Sequence, residues 1–248
     1  YKDFHIFYEN QKNKTKIHII DMKEERKNLN FSIFSNYLAD ELKKLNGQAI
    51  LFINRKGTAK AMICRECGYI PRCTQCNLPY SYYEDNISNL ICLNCQIKTV
   101  LPILCPQCKG NQFKLLGIGT KKILDEAKKL FSHLVFEKLD SDTTAQEKEN
   151  IIKNFISKKI NVIIATQAIF HEFSREFKVD LSALISADTF LHIPDYQSNE
   201  KTWHLIITSF SYANSCVVQT YNPQNYAIVD AEKNDFESFY TKELNARK

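Results

Sequence analysis

The stretch "MICRECGYIPRCTQCNLPY", from Met62 to Tyr80, holds two Cys-x-x-Cys pairs that are five residues apart. Two more such pairs follow. The eight paired cysteines are Cys64, Cys67, Cys73, Cys76, Cys92, Cys95, Cys105 and Cys108. Disulfide frameworks are typical of short secreted chains, whereas two cysteines separated by two residues can both face one tetrahedral metal ion. Four pairs therefore predict two zinc sites of four cysteines each, with iron–sulfur clusters or redox-active dithiols as the alternatives.

The spacing between the pairs bears on which of them share a metal ion. The spacers hold 5, 15 and 9 residues, and the middle value is that of a zinc ribbon whose two halves are joined by a hairpin. This favours a nested arrangement, with sequential sharing as the alternative. In the nested arrangement the outer pairs, Cys64, Cys67, Cys105 and Cys108, hold one zinc ion, and the inner pairs, Cys73, Cys76, Cys92 and Cys95, hold the other. Saturated sites of this kind are structural, and Gly68 and Gly110 suit the tight turn of a zinc knuckle.

Composition and charge narrow the class of protein. Hydrophobic residues at 44% and charged residues at 25% of the 248 residues are ordinary for a globular protein. No apolar run is long enough to span a membrane, so no membrane partner is expected. The net charge of +5 falls to about +1 with eight thiolates and two zinc ions, but residues 1–60 carry 12 Lys and Arg against 7 Asp and Glu. This basic part is the better candidate for DNA contact.

The sequence around the cysteines predicts alternating strands and helices. Short apolar runs predict strands at residues 16–21, 48–54, 113–116, 134–140, 161–166, 182–188 and 215–221. Helical periodicity predicts helices at residues 31–45, 120–131, 143–157, 198–210 and 226–244. Such alternation implies a mostly parallel sheet with helices on both faces, into which the cysteine-rich module is inserted. Cys216, in the apolar run "SCVVQTY", is expected to be a buried core thiol.

Several segments, in the order in which they occur, resemble the PriA family of bacterial replication-restart DNA helicases. They are "ILFINRKGTAKAMICRECGYIPRCTQC", "LGIGTK", "LDSDTT" and "IIATQ", and the resemblance runs from about Lys16 to the C-terminus. An eight-cysteine insertion directly after "LFINRKG" is unusual among helicases. The resemblance implies a RecA-like second helicase lobe with two nested zinc sites. It also implies forked or single-stranded DNA, single-strand DNA-binding protein and primosome components as partners, in the bacterial cytoplasm.

By the same resemblance, residues at the ends of predicted strands are candidates for contact with nucleic acid or nucleotide. They are Asn54, Arg55, Lys56, Gly119, Thr120, Thr166 and Gln167. The family implies ATP-dependent 3′–5′ helicase activity, with ATP and Mg²⁺ as cofactors of the whole protein. Its Walker residues belong to a first lobe that is absent from this sequence, so the chain alone is expected to hydrolyse no ATP and has no assigned catalytic residue.

Two departures from the family pattern affect residues that the family uses for ATP-driven unwinding. His171 and Glu172 stand where the family has lysine and glycine. Where the family has a Gly-Arg-rich motif whose arginines reach the ATP phosphates, residues 203–221 contain no arginine. An arginine finger contributes about 10³–10⁵ in rate. Its loss is expected to cripple hydrolysis unless Arg175, from a nearby loop, replaces it.

The functional hypothesis is therefore a divergent replication-restart protein in which binding of DNA and partners matters more than unwinding. A zinc-ribbon module of transcription or RNA handling, fused to an α/β domain, is the alternative. The ordered "NRKG", "GIGT" and "ATQ" segments argue against it. The predicted domains are the first part of the lobe at 1–61, the zinc-binding insertion at 62–112, the remainder of the lobe at 113–222 and the start of a C-terminal region at 223–248.

Overall fold

A computed structural model of the chain describes most of the sequence. The described residues are 16–53, 61–83, 89–92, 95–115, 120–140, 143–166, 169–170, 172–173, 177–191 and 196–247. The strands are β1 (Lys16–Asp21), β2 (Ala49–Phe52), β3 (Met62–Cys64), β4 (Ser81–Tyr82), β5 (Leu90–Ile91), β6 (Lys98–Thr99), β7 (Phe113–Leu115), β8 (Phe136–Leu139), β9 (Val162–Ala165), β10 (Val179–Leu184) and β11 (Ala213–Thr220).

Helices occupy much of the remaining chain. They are α1 (Met22–Lys27), α2 (Asn36–Lys43), α3 (Thr120–Leu130), α4 (Ala145–Ile156), α5 (Asp188–Leu191), α6 (Ser198–Ser211), α7 (Tyr226–Glu232) and α8 (Phe236–Ala246). Within the described ranges, no helix has both the length and the apolar character needed to cross a bilayer.

Six strands form one sheet in the order β1-β11-β10-β2-β9-β8, and each neighbouring pair is parallel. The expected mostly parallel sheet is thus confirmed. After β2 the chain continues to β8 on one side of the sheet, whereas after β10 it continues to β11 on the other side. The connections therefore diverge between β2 and β10. Open α/β sheets bind their ligands outside the carboxyl ends of the strands at such a point.

Both faces of the sheet are covered, because successive residues of the inner strands point to opposite sides. In β2, Ala49 and Leu51 pack in one buried cluster and Ile50 and Phe52 in the other. Helices α2 and α3 contribute side chains to the first cluster, and α4, α6, α7 and α8 contribute to the second. The predicted arrangement of helices on both faces is confirmed, and it explains why these strands are apolar without alternation.

The helix predicted at residues 31–45 is shorter than its periodicity indicated. It is α2, and it begins only after Ser35, whose hydroxyl accepts a hydrogen bond from the N–H of Leu38 at 3.2 Å. Before it, Ser32 Oγ accepts from the N–H of Phe34 at 3.0 Å. These side-chain bonds give the backbone a turn in place of a helix. Phe31, the first residue of the apparent apolar stripe, is 70% exposed.

The single terminal helix predicted at residues 226–244 is two helices, α7 and α8. Asn234 adopts the left-handed conformation with φ of 52°, which interrupts the helical backbone. Asp235 then caps α8 by accepting a hydrogen bond from the N–H of Ser238 at 2.9 Å. Asparagine tolerates the left-handed region and aspartate is a good N-cap, so the Asn-Asp dipeptide ends one helix and begins the next.

The strand predicted at residues 113–116 does not join the main sheet. It is β7, which pairs antiparallel with β3, so that Met62 lies opposite Leu115 and Cys64 opposite Phe113. The two strands form a ribbon at the base of the cysteine-rich module. Because an insertion has to leave a domain and return to nearly the same place, its two ends lie side by side and pair with each other.

A buried glutamine links the last strand to the segment before α2. Gln219, in β11, is fully buried. Its Oε1 accepts a hydrogen bond from the N–H of Ser35 at 2.7 Å. Its Nε2 donates to the carbonyl oxygens of Ile33 at 3.0 Å and Ile185 at 2.9 Å. One side chain thus satisfies three backbone groups that have been removed from water.

The substitution Gln219→Leu is expected to lower the free energy of unfolding by about 3 kcal/mol, because it leaves those three buried backbone groups without a partner. Urea unfolding followed by circular dichroism measures the change as a lower midpoint at unchanged slope. Gln146→Leu, on the exposed surface of α4, is the matched control and is expected to change stability by less than about 0.5 kcal/mol. Equal effects of the two substitutions would contradict this account.

Candidate metal centres

The cysteine-rich module lies between β2 and α3, at the carboxyl edge of the main sheet. Within the module, the strands β4, β5 and β6 form a small antiparallel sheet. Strands β4 and β5 provide the hairpin between the two inner cysteine pairs. The module is thus placed at the edge where this class of sheet binds its ligands.

The structure groups the cysteines in the nested arrangement. In each group of four, the sulfur atoms all lie within 4.8 Å of one another. In the outer group the Sγ atoms of Cys64 and Cys108 are 3.6 Å apart, as are those of Cys67 and Cys105. In the inner group Cys76 Sγ lies 3.5 Å from Cys92 Sγ.

These distances indicate the chemistry of the two groups. A disulfide would bring two sulfur atoms to about 2.05 Å. Four thiolates around one tetrahedral ion, with metal–sulfur bonds of about 2.3 Å, would lie about 3.8 Å apart. The observed separations of 3.5 to 3.6 Å match the second arrangement. Each group of four thiols could therefore hold one metal ion.

All four Cys-x-x-Cys pairs adopt the same knuckle. In each, the carbonyl oxygen of the first cysteine accepts a hydrogen bond from the N–H four residues later, at 2.8 to 3.0 Å. In each, that later residue has a left-handed backbone. The four residues are Gly68, Asn77, Gln96 and Lys109, with φ between 58° and 80°. The repeated hydrogen bond folds the backbone around the place of the ion.

The glycine prediction holds for one outer knuckle and fails for the other. Gly68 occupies a left-handed position with φ of 80°. In the last knuckle, Lys109 takes the left-handed conformation, and Gly110 follows it. A Cβ atom on Gly110 would lie 1.9 Å from a carboxylate oxygen of Glu66. Gly110 therefore leaves room for the Glu66 carboxylate, whereas the turn itself is made by Lys109.

Backbone amides prepare part of the inner group to bind a cation. The hydrogen bond from the N–H of Cys76 is the largest of the effects that lower the pKa of Cys73 to about 6. The hydrogen bond from the N–H of Leu78 likewise lowers the pKa of Cys76. The hydrogen bond to the Cys76 thiol raises the pKa of Cys95 to about 12. A divalent cation at the centre would stabilise all four thiolates, so metal binding would release protons from the thiols that are still protonated.

The tyrosine beside the inner knuckles has a packing role. Tyr80 is only 5% exposed and lies in a small buried cluster with Met62, Leu90 and the inner cysteines Cys73 and Cys92. Among the described residues of the module, few apolar side chains belong to this cluster. Metal ions held by the eight thiols would therefore contribute much of the stability of the module.

Of the predicted contact residues, the structure places two at the carboxyl edge of the sheet. Thr120 begins α3, and its hydroxyl donates a hydrogen bond to Oδ2 of the buried Asp140 at 2.6 Å. Thr166 directly follows β9, and Asp140 directly follows the neighbouring strand β8. The others, Asn54, Arg55, Lys56, Gly119 and Gln167, lie outside the described residues, as do His171 and Arg175.

No sequence pattern singled out Tyr221, which joins the module to the lobe. It follows β11, and its N–H donates to Oδ2 of Asp188 at 2.9 Å. Its hydroxyl accepts from Arg26 Nε at 3.3 Å, and Lys114 Nζ, from β7, lies 5.9 Å from its ring centroid. Gly68 packs so closely that an added Cβ would lie 2.9 Å from Tyr221 Cβ. Only the folded chain brings these residues together.

Together, these features define a parallel α/β lobe that carries, at the carboxyl edge of its sheet, a module with two four-cysteine sites. Over 94% of its length, the chain is 32% identical to replication restart protein PriA of Bacillus subtilis and 34% identical to that of Borreliella burgdorferi. The chain is a divergent PriA-like protein, which confirms the resemblance found in its sequence. It spans only 30% and 36% of the length of these two relatives. No protein-family model matches it.

The substitution Cys67→Ser is expected to reduce the bound metal from two ions to one per chain, because it removes a ligand from the outer group only. Elemental analysis of the purified chain measures the ratio. Cys216→Ala is the matched control, since this thiol is fully buried in β11, where burial raises its pKa to about 11. Two ions retained by Cys67→Ser, or one lost by Cys216→Ala, would contradict the assignment.

Proposed function

We propose that the chain is the zinc-bearing, DNA-binding part of a replication-restart protein that contacts forked or single-stranded DNA. The observation that carries this proposal is the position of the eight-cysteine module. It is inserted at the carboxyl edge of a parallel sheet, in a chain that is similar to PriA over 94% of its length. A ribbon fused to an unrelated domain, as in the transcription or RNA alternative, would have no reason to be enclosed between β2 and α3.

We propose zinc as the metal in both groups. Tetrahedral sites of four thiolates favour zinc or iron. Sulfur separations near 3.6 Å suit a single ion, whereas a multi-iron cluster would hold its cysteines farther apart. With four thiolates bound, neither ion would keep a position for water, and both would stabilise the module without taking part in chemistry.

The role of the chain in ATP hydrolysis is proposed to be small. The segment 203–221, which contains no arginine, forms most of α6 and β11. Its side chains Trp203, Ile206, Ile207 and Phe210 are buried in the core. The segment therefore packs the lobe and offers no guanidinium to a nucleotide. For the complete protein, the proposal includes a RecA-like lobe, ATP and Mg²⁺ as cofactors, and 3′–5′ unwinding.

The proposal also covers the protein partners, the cellular location and the domain boundaries of the chain. Single-strand DNA-binding protein and primosome components are the proposed protein partners, in the bacterial cytoplasm. The proposed divisions are 1–61 and 113–222 for the lobe, 62–112 for the zinc-binding insertion and 223–248 for the start of a further region. Helices α7 and α8 of that last part pack on the same core cluster as α6.

The zinc-loaded chain is expected to bind a fluorescent forked DNA more tightly than a blunt duplex of the same length, because the fork offers unpaired strands. Fluorescence anisotropy gives both affinities. Removal of the metal with a chelator is expected to weaken fork binding by about tenfold or more, since the module then loses its fold. Equal binding of fork and blunt duplex, or no binding to either, would refute the proposed function.

The complete protein is expected to bind the same fork with ATP turnover about a hundredfold or more below that of ordinary helicases, because the arginines of the motif at 203–221 are missing. DNA-stimulated phosphate release measures turnover, and anisotropy on the same substrate measures binding. Turnover typical of a helicase would overturn the proposal that the protein mainly binds DNA and would direct attention to Arg175 as a substitute.

A further inference from the structure

A cleft of about 870 Å³ lies between α1, the cysteine-rich module and α3. Cations line it from all three elements. Helix α1 contributes Lys23, Arg26 and Lys27. The module contributes Arg65 and Lys114, and α3 contributes Lys121 and Lys122. The volume is within the range of ligand-binding clefts, and the walls come from parts of the chain that are distant in sequence.

The positive charge of the cleft is only partly balanced. Three carboxylates line it, those of Glu66, Asp125 and Glu126. Glu126 already accepts hydrogen bonds from Ser32 Oγ at 2.8 Å and from the N–H of Ile33 at 3.0 Å. Among the described residues, no carboxylate forms an ion pair with the cleft lysines of β7 and α3, or with Arg65.

Cations from the three walls of the cleft act together on Lys114. Burial, followed by the charges of Arg26, Arg65 and Lys122, lowers the pKa of the Lys114 ammonium to about 8. The residues responsible come from α1, the module and α3, so all three walls act on one side chain. An anion bound among them would relieve this repulsion and desolvation.

Exposed apolar side chains border the same cleft. Phe31 is 70% exposed and Leu115 is 40% exposed. The guanidinium carbon of Arg26 lies 5.5 Å from the centre of the Phe31 ring. Phosphates bound by cations and bases stacked on an aromatic ring are the two elements by which proteins hold single strands. An acidic peptide would use the cations and leave Phe31 without a comparable partner.

We infer that this cleft binds single-stranded nucleic acid, with the phosphates against the cations of α1, β7 and α3 and a base on Phe31. The inference rests on the proposed function, since it locates the strand that a DNA-binding chain of this kind would hold. It also gives the zinc-bearing module a specific task. The module supplies one of the three cationic walls, and the strand would lie in the angle between module and lobe.

The test compares two double variants on a single helix. Lys121→Gln with Lys122→Gln removes two charges from the cleft, and Lys128→Gln with Lys129→Gln removes two exposed charges from the last turn of α3, outside it. Binding of a fluorescein-labelled oligothymidine by the zinc-loaded 248-residue chain is measured by anisotropy at several salt concentrations. The cleft variant is expected to bind about tenfold more weakly. Its salt slope should fall by about 0.7 for each phosphate that the variant no longer neutralises.

Arg65→Gln tests the opposite wall and is expected to act in the same direction, whereas the control is expected to keep the wild-type slope. Equal losses in the cleft and control variants would overturn the inference, because the effect would then reflect overall charge. Unchanged oligothymidine binding with weakened binding of a polyglutamate peptide would also overturn it in favour of an acidic partner. Absence of binding to both oligothymidine and forked DNA by the unaltered chain would instead refute the proposed function itself.

Discussion

Eight thiols, gathered in two tetrahedral groups, hold a module whose own apolar core contains very few side chains. In the described part of the module, Tyr80, Leu90 and Met62 pack with the inner cysteines, and Ile63 and Ile70 are also buried. A segment of this size cannot bury enough apolar surface to offset the entropy of ordering its backbone. A metal ion in each group of four cysteines would supply the missing free energy directly, because the unfolded chain has no preformed site. The knuckles and the β3–β7 ribbon would then depend on this contribution.

The lobe depends on the module in turn for the shape of its carboxyl edge. The ribbon places Lys114 over Tyr221 at the end of β11, and the first knuckle brings Gly68 against the same tyrosine. Arg26 reaches that tyrosine from α1. A change in the outer metal site would therefore move the wall formed by Arg65 and Lys114 relative to α1 and α3. With metal ions bound, sulfur–metal geometry would help the sheet to set the positions of the cleft cations.

The sequence predicted the elements that rest on local patterns. Apolar runs indicated the parallel sheet, and the 15-residue spacer favoured the nested arrangement of the cysteine pairs. The predicted helix at 31–45 was too long because Phe31 continues the apolar periodicity beyond the cap at Ser35. Left-handed turns at Asn77, Gln96 and Lys109 carry no glycine, so composition could not reveal them. Tyr221 and the cleft escaped prediction because they join residues that are far apart along the chain and share no motif.

The paired ends of the module also affect the order of folding. Strand β2 and helix α3 are separated by roughly seventy residues, and closing so long a loop slows the formation of the sheet. Metal ions in the two groups of cysteines would join distant parts of this loop and so shorten the loop that remains to be closed. Since each doubling of loop length costs about 0.6 kcal/mol, this shortening would lower the entropic barrier to forming the sheet. During synthesis the module emerges before β8 to β11, so metal supply can set the rate at which the lobe assembles.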